Sequence, residues 1–214
     1  MVADKHDILS LGTYILPTPA GAFKALSDTS ANLVRNFLVT LLKKQGTART
    51  NDISLGKLAG LSTPLETYEF IKRLQTLGWI QTVQEPYIPP TAPIQSILST
   101  LLPILSRENK ILLADTQGFY LHSHGFPHEV AEELSALSAE IANMHARRAG
   151  ALNRNLGFSS SAWALSDAAG HSQLGFWPLF VGSERFVLVI AGSPAFNQPQ
   201  FVELAFALHN RFGN

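Results

Sequence analysis

The chain has 214 residues, 46% of them hydrophobic and 15% charged, so it is long enough and apolar enough to bury a sizeable core. Its 16 basic and 16 acidic residues balance, which excludes a strong overall attraction to nucleic acid or to an anionic membrane. The absence of cysteine excludes disulfide bonds, thiolate nucleophiles and cysteine-ligated metal centres.

The N-terminal stretch MVADKHDILSLG carries charged residues where a secretory signal would need an apolar run. No apolar window reaches the roughly 18 residues of a membrane span. We therefore expect a soluble, cytoplasmic protein without membrane insertion. The pattern over residues 1–30 is weak, since ILSLGTYILP is typical of a strand or a packing arm and PAGAFKAL of a short helical turn. We interpret residues 1–30 as an N-terminal arm.

Three helices and a strand are predicted over residues 31–89. Apolar residues at three-and-four spacing predict the first helix over 31–45, and DISLGKLAGL predicts a short second one. The third begins with Thr63 as N-cap, Pro64 at the first helical position and Glu66 as partner in a capping box. Gly78 ends it, and WIQTV reads as a strand. This order, above all the stretch FIKRLQTLGWIQTV, resembles a winged helix-turn-helix.

A winged helix often binds DNA through its third helix. Here the outward positions of that helix include Glu66 and Glu69, near the end that would approach phosphates, which lowers affinity. The basic residues available for a DNA-binding patch are Lys43, Lys44, Arg49, Lys57, Lys72 and Arg73. An ordinary solvated face explains them equally well, so DNA binding is the alternative and protein binding the leading interpretation.

The stretch QEPYIPPTAP places four prolines within eight residues, which predicts a domain boundary near residues 87–93. A helix follows, which Pro103 should kink or end, and KILLADTQGFYLHSHG reads as two strands with Gly118 in the turn. Pro127 opens a long helix, three strands and a last helix come after it, and the fold class is α+β. The apolar residues of the long helix recur at Val130, Leu134, Leu137, Ile141 and Met144.

This order, with ILLADTQGFYLHSHG running into EVAEELSALSAEI, resembles the roadblock (dynein light chain type) domain over residues 94–214. The resemblance implies a roadblock/profilin-like antiparallel five-stranded sheet flanked by helices. It also implies a non-catalytic homodimer that binds a small Ras-like GTPase or another protein, without a cofactor. In that family the long helix and the following strand pair across a two-fold axis. The seam implied here comprises Ala136, Ala139, Asn143, Ala146, Gly150, Ser161, Trp163 and Leu165.

Three histidines cluster in HSHGFPH, where strand alternation would put Tyr120, His122 and His124 on one face and His128 in the first helical turn. Such a cluster can hold zinc together with Glu132. The spacing His-Glu-x-x-His is missing, so we favour a polar cluster over a metal site. No nucleophile elbow or P-loop is present, and we expect no enzyme. A small-molecule sensor is the second alternative, because sheets of the GAF or profilin type hold ligands.

Overall fold

A computed structural model describes residues 13–44, 48–50, 52–157 and 160–213, with only the backbone described for residues 52–54. The chain divides into two compact units. The first joins the described residues up to Ala25 to Ser30–Pro89, and the second joins Leu26–Thr29 to the described residues from Pro90 onward. No helix in these described ranges is long and apolar enough to cross a membrane.

The first unit contains a two-stranded antiparallel sheet and four helices. Tyr14 pairs with Val83 and Pro17 with Ile80, and Tyr14 also forms an isolated bridge with Arg49. In chain order the elements are β1 (Tyr14–Pro17), α1 (Pro19–Leu26), α2 (Leu33–Lys43), α3 (Asp52–Ala59), α4 (Pro64–Thr76) and β2 (Ile80–Val83).

Side-chain caps start α2 and α4. The Thr63 hydroxyl accepts a hydrogen bond from the Glu66 backbone N–H at 3.2 Å and donates one to the Glu66 carboxylate at 2.8 Å. Asn32 caps α2 in the same way, because its Oδ1 accepts from the backbone N–H of Arg35 at 2.9 Å. Gly78 follows α4 with a φ of 67°. The predicted start and end of the third helix are confirmed.

The described part of the predicted N-terminal arm contains a strand and a short helix, two of the elements that the sequence offered for it. β1 is hydrogen-bonded to β2, and α1 buries Ala22, Ala25 and Leu26. Residues 1–12 of the predicted arm lie outside the described residues.

The second unit is a mixed α and β structure built on a five-stranded antiparallel sheet of order β4-β3-β7-β6-β5. The helix, strand, strand, long helix, three strands and helix predicted from the sequence follow one another as expected. The first helix of this unit ends just before Pro103, as predicted, and a 3-10 turn follows over Leu102–Leu105. The elements are α5 (Ile94–Leu101), β3 (Ile111–Ala114), β4 (Tyr120–His124), α6 (His128–Leu156), β5 (Trp163–Ser166), β6 (Ser172–Val181), β7 (Glu184–Ala191) and α7 (Pro199–Phe212).

Helices cover both faces of this sheet. On one face α6 packs against a buried cluster that includes Leu112, Phe176 and Val189. Side chains alternate along β7, so Phe186 points to the other face, where its ring centroid lies 4.9 Å from that of Phe212 in α7. The core of the unit therefore has a layer on each side of the sheet.

The β3–β4 turn is fixed by Asp115 and Gly118. The Asp115 Oδ1 accepts hydrogen bonds from the backbone N–H groups of Gln117 and Phe119 at 2.9 and 3.0 Å. Gly118 has a φ of 89°, and a Cβ there would lie 3.2 Å from the Ala136 Cα. Both the conformation and the close approach of α6 require glycine, as the sequence predicted for this turn.

Candidate functional site

The long helix α6 turns small side chains toward the sheet. Its buried residues are Ala131, Ser135, Ser138, Ala139 and Ala142. The larger apolar row found in the sequence lies roughly 120° around the helix from them, given about 100° per residue. Of that row, Val130, Leu137 and Met144 are 38%, 41% and 38% exposed. α6 therefore buries alanine and serine but exposes larger apolar side chains. This exposed apolar surface is available to pack against another chain.

Strand β5 lies at one edge of the sheet, and in the described structure it pairs only with β6. Trp163 lies opposite Phe176, and Leu165 lies opposite Leu174. Directly opposed residues share a face of the sheet, and Phe176 and Leu174 belong to the cluster under α6. Trp163 and Leu165 are therefore on the α6 side, where they are 38% and 64% exposed.

The exposed row of α6 and the exposed side chains of β5 lie on the same flank of the unit. The Trp163 indole Nε1 donates a hydrogen bond to His145 Nδ1 at 3.1 Å, which ties β5 to the row's side of α6. Leu134 and Ile141 of the row pack on the same cluster as Leu174 of β6, which lies opposite Leu165 of β5. We call this surface the apolar flank, formed by Val130, Leu134, Leu137, Ile141, Met144, Trp163 and Leu165.

The seam expected from the family resemblance is mostly exposed on α6, where Ala136 and Asn143 are exposed and Ala139 is buried within its own unit. Asn143 accepts a hydrogen bond from Arg185 Nη2 at 2.9 Å. Ala136 lies against the β3–β4 turn, at Gly118.

The remaining predicted seam residues are placed as follows. Ala146 and Gly150 are exposed, and Ser161 is half-buried just before β5. Only Trp163 and Leu165 of the predicted seam lie on the apolar flank. The sequence also contains the signal for the apolar flank, since the apolar row of α6 repeats at steps of four and three residues.

Charge is unevenly distributed along α6. Its first half carries Glu129, Glu132, Glu133 and Glu140, and its second half carries Arg147, Arg148 and Arg154. All seven side chains are exposed. The acidic half lies at the helix N-terminus and the basic half at the C-terminus, which the helix dipole favours.

Tyr120 and the two histidines of β4 lie on opposite faces of the sheet. A register shift in the β3–β4 pair puts Tyr120 opposite Ala114 but His122 opposite Leu113, which faces the other way. The predicted sharing of one face by Tyr120, His122 and His124 is therefore wrong, because this irregularity interrupts the alternation. Burial and then the neighbouring His124 lower the pKa of His122.

His128 instead pairs with Tyr120, whose hydroxyl lies 2.8 Å from His128 Nδ1. Its Nε2 lies 3.5 Å from a Glu132 carboxylate oxygen. Among the described side chains, no group of three or more histidines and acids is arranged to hold a metal ion. The cluster is a polar join between a strand and a helix.

The candidate DNA-binding residues are all exposed: Lys43, Lys44, Arg49, Lys57, Lys72 and Arg73. The Arg49 guanidinium lies over the Tyr14 ring at 5.6 Å, and the Lys72 ammonium over the Tyr68 ring at 5.9 Å. The outer face of α4 also exposes Leu65, at 68%. An apolar side chain in this position suits a protein partner better than phosphates.

A groove of about 760 Å³ lies on the α7 side of the second unit. Its apolar lining includes Leu121, Phe186 and Phe212, and its polar lining includes Asp115 and Arg211. This groove is the place where a small-molecule sensor would hold its ligand.

Comparison with protein-family models gives no match, and comparison with curated proteins gives none either. The solved structures that align with the chain include the following two. The Roadblock/LC7 domain from Streptomyces avermitilis is 13% identical over 55% of this chain and 92% of that chain, with a TM-score of 0.35. MglB from Myxococcus xanthus is 20% identical over 56% of this chain and 94% of that chain, also with a TM-score of 0.35. Similarity at this level carries no argument.

Proposed function

We propose that the chain is a non-catalytic adaptor or regulator that assembles as a homodimer through the apolar flank. The observation that supports this most is the continuity of exposed apolar side chains from α6 to an edge strand. A free strand edge with large apolar residues beside it is an aggregation liability in a monomer. A second copy would cover both features at once.

The flank is self-complementary. Side chains repeating at steps of four and three are those that pack between two helices. If two α6 helices run antiparallel, the acidic half of each faces the basic half of the other. Two β5 strands meeting antiparallel across the same axis would join the sheets into one of ten strands.

The resemblance to roadblock domains suggests a small Ras-like GTPase or another protein as the partner of the dimer. Residues 94–214 would serve as the roadblock-like domain. The described residues do not identify the GTPase. The property to measure is whether binding depends on the nucleotide that the GTPase carries.

Residues 31–89 are proposed to be a winged helix-like domain that presents a second binding surface. The tight turn at Gly60 between α3 and α4, and the strand directly after α4, support this. The strand pairing departs from a winged helix with a β-hairpin wing, because β2 pairs with β1 and residues 84–93 contain no strand. The exposed Leu65 beside Glu66 and Glu69 favours a protein partner over DNA.

Light scattering on the purified chain tests the dimer, and titration with a Ras-like GTPase loaded with GDP or a GTP analogue tests the partner. We expect a dimer whose GTPase affinity changes with the nucleotide. A monomer at micromolar concentration would contradict the dimer. Salt-sensitive binding to duplex DNA, together with no GTPase affinity, would favour the alternative of a DNA-binding regulator.

A further inference from the structure

One side-chain hydrogen bond ties the edge strand β5 to α6. The Trp163 indole donates to His145 Nδ1 at 3.1 Å, and the two rings meet edge to face with centroids 6.1 Å apart. An indole nitrogen can only donate, so Nδ1 must carry no proton. The contact therefore exists for the neutral imidazole and is lost when His145 is protonated.

The charges around His145 come from three places. Arg148 lies one turn further along α6. Arg185 of β7 and Asp28 line the same cavity of about 310 Å³ as His145. The strands β5 and β6 contribute uncharged side chains at this point. Burial lowers the pKa of His145 below its ordinary value of 6.5, so the ring is neutral at neutral pH.

We propose that His145 is a pH-sensitive positioning residue for the apolar flank: the neutral ring holds Trp163 in place for pairing, and protonation releases it and weakens assembly. This inference rests on the homodimer proposed above. Trp163 is the only aromatic residue of the apolar flank and lies on the strand edge that a second copy would meet. Its orientation therefore decides whether the two edges fit.

Protonation of His145 would also have a second effect, which favours assembly. In an antiparallel pair, exposed glutamates of the second α6 would attract a protonated His145. Interactions between charges that remain exposed are screened by solvent and salt. The released indole, in contrast, loses both its acceptor and its fixed orientation at the seam. The loss of the Trp163 contact should therefore outweigh the attraction to the glutamates, and protonation of His145 should weaken assembly.

The sign of the pH dependence follows from the direction of the pKa shift. A histidine whose pKa is depressed in the folded state stabilises that state above its unfolded pKa. The contribution is lost as the pH falls from about the unfolded value of 6.5 through the lower folded value. The contact should therefore stabilise the fold fully above pH 7 and be lost below this range. Assembly, which by the proposal needs the neutral ring, should weaken over the same range.

The test combines two independent measurements on the full chain. The chain has three tryptophans, so the Trp163 indole N–H resonance can be assigned by comparison with Trp163→Phe. It is followed from pH 8 to pH 5, and the dimer dissociation constant is measured by sedimentation at pH 7.5 and 5.5. His145→Asn keeps an acceptor near the position of Nδ1 without titrating, whereas His145→Leu removes the acceptor.

We expect the wild-type indole resonance to titrate and the dissociation constant to rise roughly tenfold, from losing one hydrogen bond in each copy. His145→Asn should stay tight at both pH values and His145→Leu should be weak at both. An indole resonance that does not titrate, or one that titrates while the dissociation constant stays constant, would overturn the inference. A chain that is monomeric at every pH would instead contradict the dimer itself, whatever the indole does.

Discussion

Replacing Leu137 with alanine removes the side chain at the centre of the apolar row without disturbing the core. Leu137 is 41% exposed, so pairing can bury about two fifths of its surface. Full burial of a leucine side chain contributes about 1.5–3 kcal/mol, which gives about 0.6–1.2 kcal/mol for the exposed share. A symmetric dimer contains two copies, so the total is about 1.2–2.4 kcal/mol, or a rise in dissociation constant of about 8- to 60-fold.

Sedimentation equilibrium over a range of concentrations measures this change directly. The matched control is Leu65→Ala, which removes a leucine that is 68% exposed on α4 and should leave the dissociation constant unchanged. Alanine is the stronger helix former, so neither variant should lose helix content by circular dichroism. A Leu137→Ala dimer as tight as the wild type, with helix content intact, would refute the assignment of the apolar flank to pairing.

Three further experiments test the fold and the alternative function. Gly118→Ala should lower the free energy of unfolding in urea by more than about 1 kcal/mol, because a positive φ and a close neighbour both oppose the new Cβ. Gly60→Ala, also at positive φ but with nothing within 4 Å, should cost less, and equal losses would contradict the role given to the contact with α6. Thr63→Ala should lower the free energy of unfolding by about 1 kcal/mol through loss of the α4 cap. An unchanged free energy of unfolding would contradict the importance of that cap. Lys72→Glu combined with Arg73→Glu should leave binding of a Ras-like GTPase intact, whereas abolition of a salt-sensitive DNA affinity would favour the DNA-binding alternative.

Local chemistry made much of the second unit predictable. The Asp115 to Gly118 turn, the Pro127 start of α6 and the change of helix type near Pro103 each depend on residues close in sequence. Such features follow from backbone preferences and capping, which a sequence shows directly. The order of the elements could therefore be predicted without knowledge of their packing.

The surfaces were less predictable because they depend on distant residues. Alanine and serine occupy the buried face of α6, and the close approach at Gly118 shows how little room α6 leaves there. The local sequence of α6 does not show how closely the helix packs on the sheet. Small residues on the helix therefore fit a dimer seam as well as a tightly packed internal face. The pairing of β1 with β2 and the register shift opposite Leu113 are likewise non-local. The shift alone puts Tyr120 on one face of the sheet and His122 with His124 on the other.

If the dimer is as proposed, two copies meet at β5, and a distance between spin labels measures this contact. The chain has no cysteine, so Ala164→Cys and His124→Cys each give a single labelling site, on β5 and on the opposite edge strand β4. If two sheets join at β5, the Ala164 labels should lie within about 20 Å. The His124 labels should then be about 40 Å apart, since neighbouring strands are about 4.8 Å apart. A short distance between His124 labels, or no intermolecular distance at either site, would contradict the claim.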